Sequence, residues 1–354
     1  MPSVSPLKRS LDWIAAPMGG QRDRTWRVRR VVQTGFLLTC LFIGWQFWHF
    51  IGAAGRADLP LPVRPPGIEG FLPISGIMGL RDWWIQGSLN TIHPAATMLL
   101  LIFVIMAVLM RKAFCGWICP VGLISEMMAW LGRRSYGRNF RMWRWLDLPL
   151  RGLKWLLMGF FVYSIAMMDG TGLREFIDSP YNRVSDIKMG LFFVEIGRVG
   201  AIVMVLLVFG STFINGLWCR YLCPYGALLG FFSRFSPTRV QRDPISCIDC
   251  GKCDAICMAQ LPVSQSTNVF SVECTGCMDC IAACPVDDAL QVRAGSKNVP
   301  VLGFAVAVVL LFVGGYAGAR VAGLWENGIG DQEYVYRVET MHGPGYGHPG
   351  MDGQ

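Results

Sequence analysis

CIDCGKCDAIC, from Cys247 to Cys257, and CTGCMDCIAACP, from Cys274 to Pro285, decide how this chain is read. Each run has the spacing C-x₂-C-x₂-C-x₃-C, and the second ends in proline. Three thiolates two residues apart wrap one [4Fe–4S] cubane, and the fourth thiolate of each run reaches the other cubane. Cys247, Cys250, Cys253 and Cys284 are therefore assigned to one cluster. Cys274, Cys277, Cys280 and Cys257 are assigned to the second. Cys257 is followed by Met258 where the pattern has proline, which removes no ligand. Zinc sites use two CxxC pairs set well apart and do not consume two complete four-cysteine runs. A disulfide framework is excluded if these thiols face a reducing compartment, which the topology below expects.

The 354 residues are 53% hydrophobic and 16% charged, with mean hydropathy +0.41. The apolar residues come in long blocks, so this is read as an integral membrane protein. A net charge of +8 would suit nucleic acid, but the basic residues sit beside the apolar blocks, as membrane topology requires. Five blocks approach the roughly 20 residues needed to span: 31–51, 93–110, 149–168, 199–218 and 299–319. Arg151 and Lys154, near the start of the third, are expected to snorkel to the interface.

Counting Lys and Arg in alternate connections gives 23 on the side of residues 1–30, 111–154 and 219–298, and 9 on the other. The N-terminus and the cysteine-rich domain are thus expected on the cytoplasmic side, and the C-terminus on the outer side. No cleavable signal is read in the Arg-rich first 30 residues, so the first span serves as a signal anchor. The expected organisation is a basic arm over 1–30, a four-span membrane domain over 31–242, a two-cluster ferredoxin domain over 243–293, a fifth span over 294–319 and a periplasmic tail over 320–354. The fold class is a membrane all-α bundle carrying an inserted α+β ferredoxin domain.

Arg64–Leu80 is rich in Pro and Gly yet apolar, and reads either as a re-entrant segment or as a loop lying on the membrane. The tail containing His342 and His348 reads as irregular and undocked. Cys40, alone in mid-span, reads as inert core. His49 and His93 flank the outer loop that carries Glu69 and Arg81. They suggest a quinone site, but the preferred reading has both histidines facing headgroups.

An internal repeat adds a second set of cysteines. FCGWICPVGLI (Phe114–Ile124) and WCRYLCPYGAL (Trp218–Leu228) share aromatic-C-x₃-CP-x-G at an offset of 104 residues. The spans preceding them form two parallel repeats about an axis along the membrane normal, which brings Cys115, Cys119, Cys219 and Cys223 together. The i, i+4 spacing puts each pair on one helical face, although the following proline suggests a turn. Such thiols can hold a third cluster or another thiophilic metal, act in redox chemistry, or pack as small hydrophobes. Four buried thiolates repel one another unless a cationic centre neutralises them, which favours the first reading.

Both CxxxCP motifs and both ferredoxin runs, with RPPGIEGFLPISGIM, WCRYLCPYGALLG, SCIDCGKC and VECTGCM, make the chain resemble the membrane polyferredoxins of the NapH, NosR C-terminal and CcoG type. The resemblance implies an inner-membrane carrier of single electrons between the quinone pool or a cytoplasmic donor and a membrane or periplasmic partner protein. Its CcoG side admits an alternative, a factor that reduces copper or iron for delivery to another enzyme. A structural anchor for a redox partner is the third reading. No GxGxxG fingerprint or nucleotide loop is present, and nucleic acid is not expected as a partner.

Overall fold

The computed structural model describes residues 21–343 and Tyr346, apart from Arg138 and Arg141. The first 20 residues of the basic arm, and His348, lie outside the described residues. Helices dominate, in the order α1 (Gln21–Gly55), a 3₁₀ turn (Pro66–Phe71), α2 (Pro73–Gln86), α3 (Pro94–Met110), a π-helical turn (Phe114–Ile118), α4 (Pro120–Tyr136), α5 (Arg144–Met167), α6 (Gly170–Asp178), α7 (Pro180–Arg183), α8 (Ser185–Phe192), α9 (Arg198–Phe213), a second π-helical turn (Trp218–Leu222) and α10 (Pro224–Ser233). The cysteine-rich domain follows with β1 (Thr238–Arg242), α11 (Lys252–Ile256), α12 (Asp279–Ala282), β2 (Leu290–Ala294) and β3 (Lys297–Asn298). Helices α13 (Val301–Val321) and α14 (Asp331–Thr340) close the order.

Among the described residues three segments are long and apolar enough to cross a membrane: Arg24–Gly55, Trp145–Met167 and Val301–Val321. The two remaining expected spans are the shorter apolar helices Pro94–Met110 and Arg198–Phe213. At 1.5 Å per residue each measures about 25 Å, a little under the hydrocarbon core of about 30 Å.

The repeat extends beyond its motif. Helices α3 and α9 begin 104 residues apart, as do the two π-helical turns and α4 and α10; α3, α4 and α10 each open on a proline that fits the first helical turn, and α9 opens on Arg198. The expected α-helical face for each cysteine pair is corrected here. Cys119 N–H donates to the Phe114 carbonyl at 2.9 Å and Cys223 N–H to the Trp218 carbonyl at 3.0 Å, both i to i+5 bonds. One extra residue enters each turn, and the chain then extends at Cys119 and Cys223 to admit Pro120 and Pro224.

The chain divides into two compact units. The first comprises Met1–Leu37, Met106–Leu156 and Ile202–Val309 and contains both CxxxCP turns and the cysteine-rich domain. There β1 and β2 pair antiparallel with Val240 opposite Val292 and Thr238 opposite Ala294. Alternation along the strands turns Val240, Leu290 and Val292 inward.

The second unit comprises Leu38–Ile105, Leu157–Ala201 and Leu310–Gln354. Its core joins Phe47, Phe50, Ile165, Leu173, Ile187 and Tyr334. The Arg64–Leu80 segment is not a bare loop, because Pro73 starts α2 and Gly87, at φ 73°, ends it. The undocked tail is also corrected. Helix α14 buries Tyr334 and Val338, and Tyr334 meets Phe50 edge-on at 5.0 Å between ring centroids.

Candidate iron–sulfur centres

Each ferredoxin run repeats one backbone device. Asp249 and Gly251 in the first run, and Gly276 and Met278 at the equivalent places in the second, all have φ between 49° and 68°. A non-glycine residue there is uncommon. Paired left-handed residues turn successive N–H groups inward as an anion nest, which suits the negative charge of a thiolate-ligated cluster.

Two cavities result. One, of about 350 Å³, is lined by Cys247, Cys250, Cys253 and Cys284 with Leu290. The other, of about 410 Å³, is lined by Cys257, Cys274, Cys277 and Cys280 with Val240. Each cavity is thus lined by three cysteines of one run and the fourth of the other. Four thiols around one cavity are the donor set of a [4Fe–4S] cluster, and both linings fit that group.

The environments of the two cavities differ. Cys250 is exposed, whereas Cys253 and Cys280 are buried. Burial pushes the Cys277 and Cys280 thiols well up, and neighbouring Asp279 and the other thiols of the set add to the shift. Burial and then Asp254 push Cys253 to about 11. Metal binding must displace those protons.

The second cavity stands against both CxxxCP turns. Trp117 Nε1–H donates to the Gly276 carbonyl at 3.0 Å, and a Cβ on Gly116 would lie 3.0 Å from the Thr275 carbonyl oxygen. From the other turn Arg220 donates to the Ala259 carbonyl and forks onto Asp147 at 2.9 Å from both nitrogens. Arg29 closes the join. Its Nε donates to the Gly116 carbonyl at 3.0 Å, its Nη1 to both Asp279 oxygens at 2.8 Å, and its Nη2 pairs with Glu126. Lys112 and Lys154 converge on Glu273 at 3.4 and 2.7 Å. Lys154, expected at the interface, is thus wholly buried.

Cys115, Cys119, Cys219 and Cys223 come within electrostatic reach of one another. Burial first, and then the neighbouring thiols, push Cys115 well up and Cys219 to about 12. Cys223 also accepts a hydrogen bond from Gly226 N–H at 3.2 Å.

The outer-loop residues divide. His49 is exposed and packs edge-on against Trp45. His93 is buried, which corrects its placement among the headgroups: its Nε2 meets the Asn182 carbonyl at 2.7 Å and its Nδ1 lies 3.3 Å from Glu69. Arg64 bridges Glu69 at 2.8 Å and Asp186 at 2.6 Å. Arg81 turns elsewhere, to the Ile165 and Met168 carbonyls. Sequence reading passed over Arg29, Glu126, Asp147, Asp186 and Glu273; partners 70 to 250 positions away leave no local pattern.

Two family models match the chain. A 4Fe-4S binding domain matches twice, at residues 92–139 and 197–242, and a 4Fe-4S dicluster domain matches residues 239–285. YccM of Escherichia coli, whose name places it in electron transport, is 40% identical over 334 residues, 92% of each chain. The methylamine utilization ferredoxin-type protein MauN of Methylorubrum extorquens is 32% identical over 60% of this chain and 75% of its own. The ferredoxin-type protein NapH of Escherichia coli is 27% identical over 56% and 70%. No solved structure matches. Twin CxxxCP repeats, a dicluster domain and similarity running the length of YccM together show that the chain belongs to the polyferredoxin family, the iron–sulfur electron-transport proteins of the YccM and NapH type.

Proposed function

We propose that the protein is an inner-membrane relay that moves single electrons between the quinone pool or a cytoplasmic donor and a membrane or periplasmic redox partner. When bound, [4Fe–4S] clusters supply reversible one-electron transfer. The chain's own residues set the order of the centres. The observation that carries the reading is the seating of the Cys274–Cys280 loop on the CxxxCP turns through Trp117, Arg29 and Arg220. That contact makes the Cys257, Cys274, Cys277 and Cys280 set the inner centre and the Cys247, Cys250, Cys253 and Cys284 set the outer one.

Cys115, Cys119, Cys219 and Cys223 hold a third metal centre in this reading. Buried thiols with raised pKa values are inert unless a cation draws off their protons, and the family model over both turns is one for 4Fe-4S binding. The topology that goes with it has five spans, with the N-terminus and dicluster domain cytoplasmic and the C-terminus periplasmic. The Lys and Arg asymmetry supports that orientation.

Iron analysis of anaerobically purified protein tests the reading. More than eight irons per chain are expected from two clusters and a third centre. The excess is lost in a Cys119→Ser, Cys223→Ser double variant that keeps both dicluster signals. Eight irons with four alkylatable thiols in the native protein would instead favour redox-active thiols at the turns.

A further inference from the structure

The lining of the outer cluster cavity includes Ile248 and Asp249, and among the described residues nothing covers the aliphatic surface beside it. Ile245 is 95% exposed and Ile248 64% exposed, an unusual outlay of aliphatic surface beside the exposed Cys250. Ile245 does not flop freely. Asp243 accepts from the Ile245 N–H at 3.1 Å and the Ser246 N–H at 3.3 Å, which pins the turn with Ile245 outward. Asp243 N–H in turn donates to the Ala289 carbonyl at 2.9 Å, which holds this turn beside the Cys284–Asp288 segment.

The rim of this face is acidic. Asp249 is 76% exposed and pairs with the largely buried Arg242 at 3.0 Å. Asp287 and Asp288 are exposed two and three residues beyond Pro285. Asp243, Asp249, Asp287 and Asp288 stand against Arg242 and Lys252. The inner centre differs, because buried Arg29 neutralises Asp279 there. An apolar centre within a charged rim is the anatomy of a protein–protein contact, and an acidic rim repels an anionic lipid surface.

We infer that the Ile245 and Ile248 face is the docking surface for a soluble redox protein whose prosthetic group opens within a basic rim. This rests on the electron-relay reading above. One electron passes between the outer centre and the partner's prosthetic group, with no bond made or broken, so only exposure of the donor edge and a complementary rim are required. Electrostatic steering of this kind speeds encounter and is weakened by salt.

The test uses the full-length protein in detergent, reduced with dithionite and freed of excess reductant. It is mixed with ferric cytochrome c, a basic haem protein, and the ferrous haem formed is followed by absorbance. The second-order rate constant is expected to fall roughly tenfold between ~0.01 and ~0.3 M ionic strength. Asp287→Lys removes most of that salt dependence, and Ile245→Ser slows the reaction at every salt concentration. Both variants yield the wild-type number of electrons to ferricyanide and keep both cluster spectra, which separates docking from folding. A rate indifferent to salt and to both substitutions overturns the surface. So does an apparent mass that drops on Ile245→Ser while the cytochrome c rate stays unchanged, because the face then joins two copies of this chain. If ferricyanide withdraws no electrons from reduced wild-type protein, the relay reading itself fails and the docking surface goes with it.

Discussion

Glu273 shows what one carboxylate does at the join between the cysteine-rich domain and the turns. Burial opposes its charge, but Lys112 and Lys154 outweigh burial and hold it below the usual carboxylate range. One anion serves two buried ammonium groups, so removing it strands both. Glu273→Gln is expected to cost about 3 kcal/mol, since breaking a buried pair leaves uncompensated charge, and this would be read as a lower thermal midpoint at pH 7. The pH dependence follows from the sign of the shift. A carboxyl depressed in the folded state stabilises fully above its unfolded pKa of about 4.3, and that contribution is lost as pH falls through the lower folded value. Thermal melts from pH 6 down to pH 3 should therefore bring wild type and variant together. A gap that stayed constant across that range would rule out this role. Cysteine replacement is the sharper residue-level test of the ligand sets. Cys253→Ser should abolish one dicluster signal and spare much of the other, and Cys280→Ser should do the reverse. Survival of both signals in the double variant would refute the assignment.

At the scale of elements, the π-helical turn requires the glycine of the first CP-x-G motif and leaves room for a side chain at the second. A Cβ on Gly122 would run into the Cys115 carbonyl oxygen, closer than side chains approach backbone. A Cβ on Gly226 would meet the Cys223 sulfur at 3.6 Å and the Cys219 carbonyl at 3.8 Å, ordinary van der Waals contact. Sequence symmetry predicts equal effects, and the structure predicts unequal ones. For the proposed third centre, Gly122→Ala should displace the first turn and lower the iron held in excess of about eight per chain, while Gly226→Ala should leave it near the wild-type value. Equal losses in the two variants, measured by iron analysis after gel filtration, would count against the turn geometry. The extra residue in each turn has a further consequence, because it widens the turn beyond the α-helical i, i+4 spacing before proline redirects the chain.

For the whole molecule, the division of charge along the chain gives the orientation its test. Reporter fusions at residue 290, between the second ferredoxin run and α13, should report the cytoplasm, and fusions at residue 328, beyond α13, the periplasm. A cytoplasmic signal at both positions would mean that Val301–Val321 does not cross. The two helices of about 25 Å bear on the same question. Each is soon followed by a π-helical turn that carries a CxxxCP pair, so in the proposed five-span topology these cysteines stand close to the bilayer surface.

The cysteine spacing, the 104-residue repeat and the apolar blocks are legible along the chain. All three are short-range or periodic patterns: cluster ligation fixes cysteine spacing within a few residues, and a bilayer fixes the length of an apolar run. The remaining features come from contacts between distant positions. Arg29 reads as one more basic residue flanking the first span, yet it is buried between Glu126 and Asp279, 97 and 250 positions away. His93 reads as interfacial, yet it is enclosed by Glu69 and Asn182. Helices α2 and α14 were hidden by their glycines, by a proline and by a polar composition, because what stabilises them is burial against distant residues rather than local propensity. A buried charge must find its counter-charge wherever the fold delivers one, and that requirement leaves no mark on the neighbouring sequence.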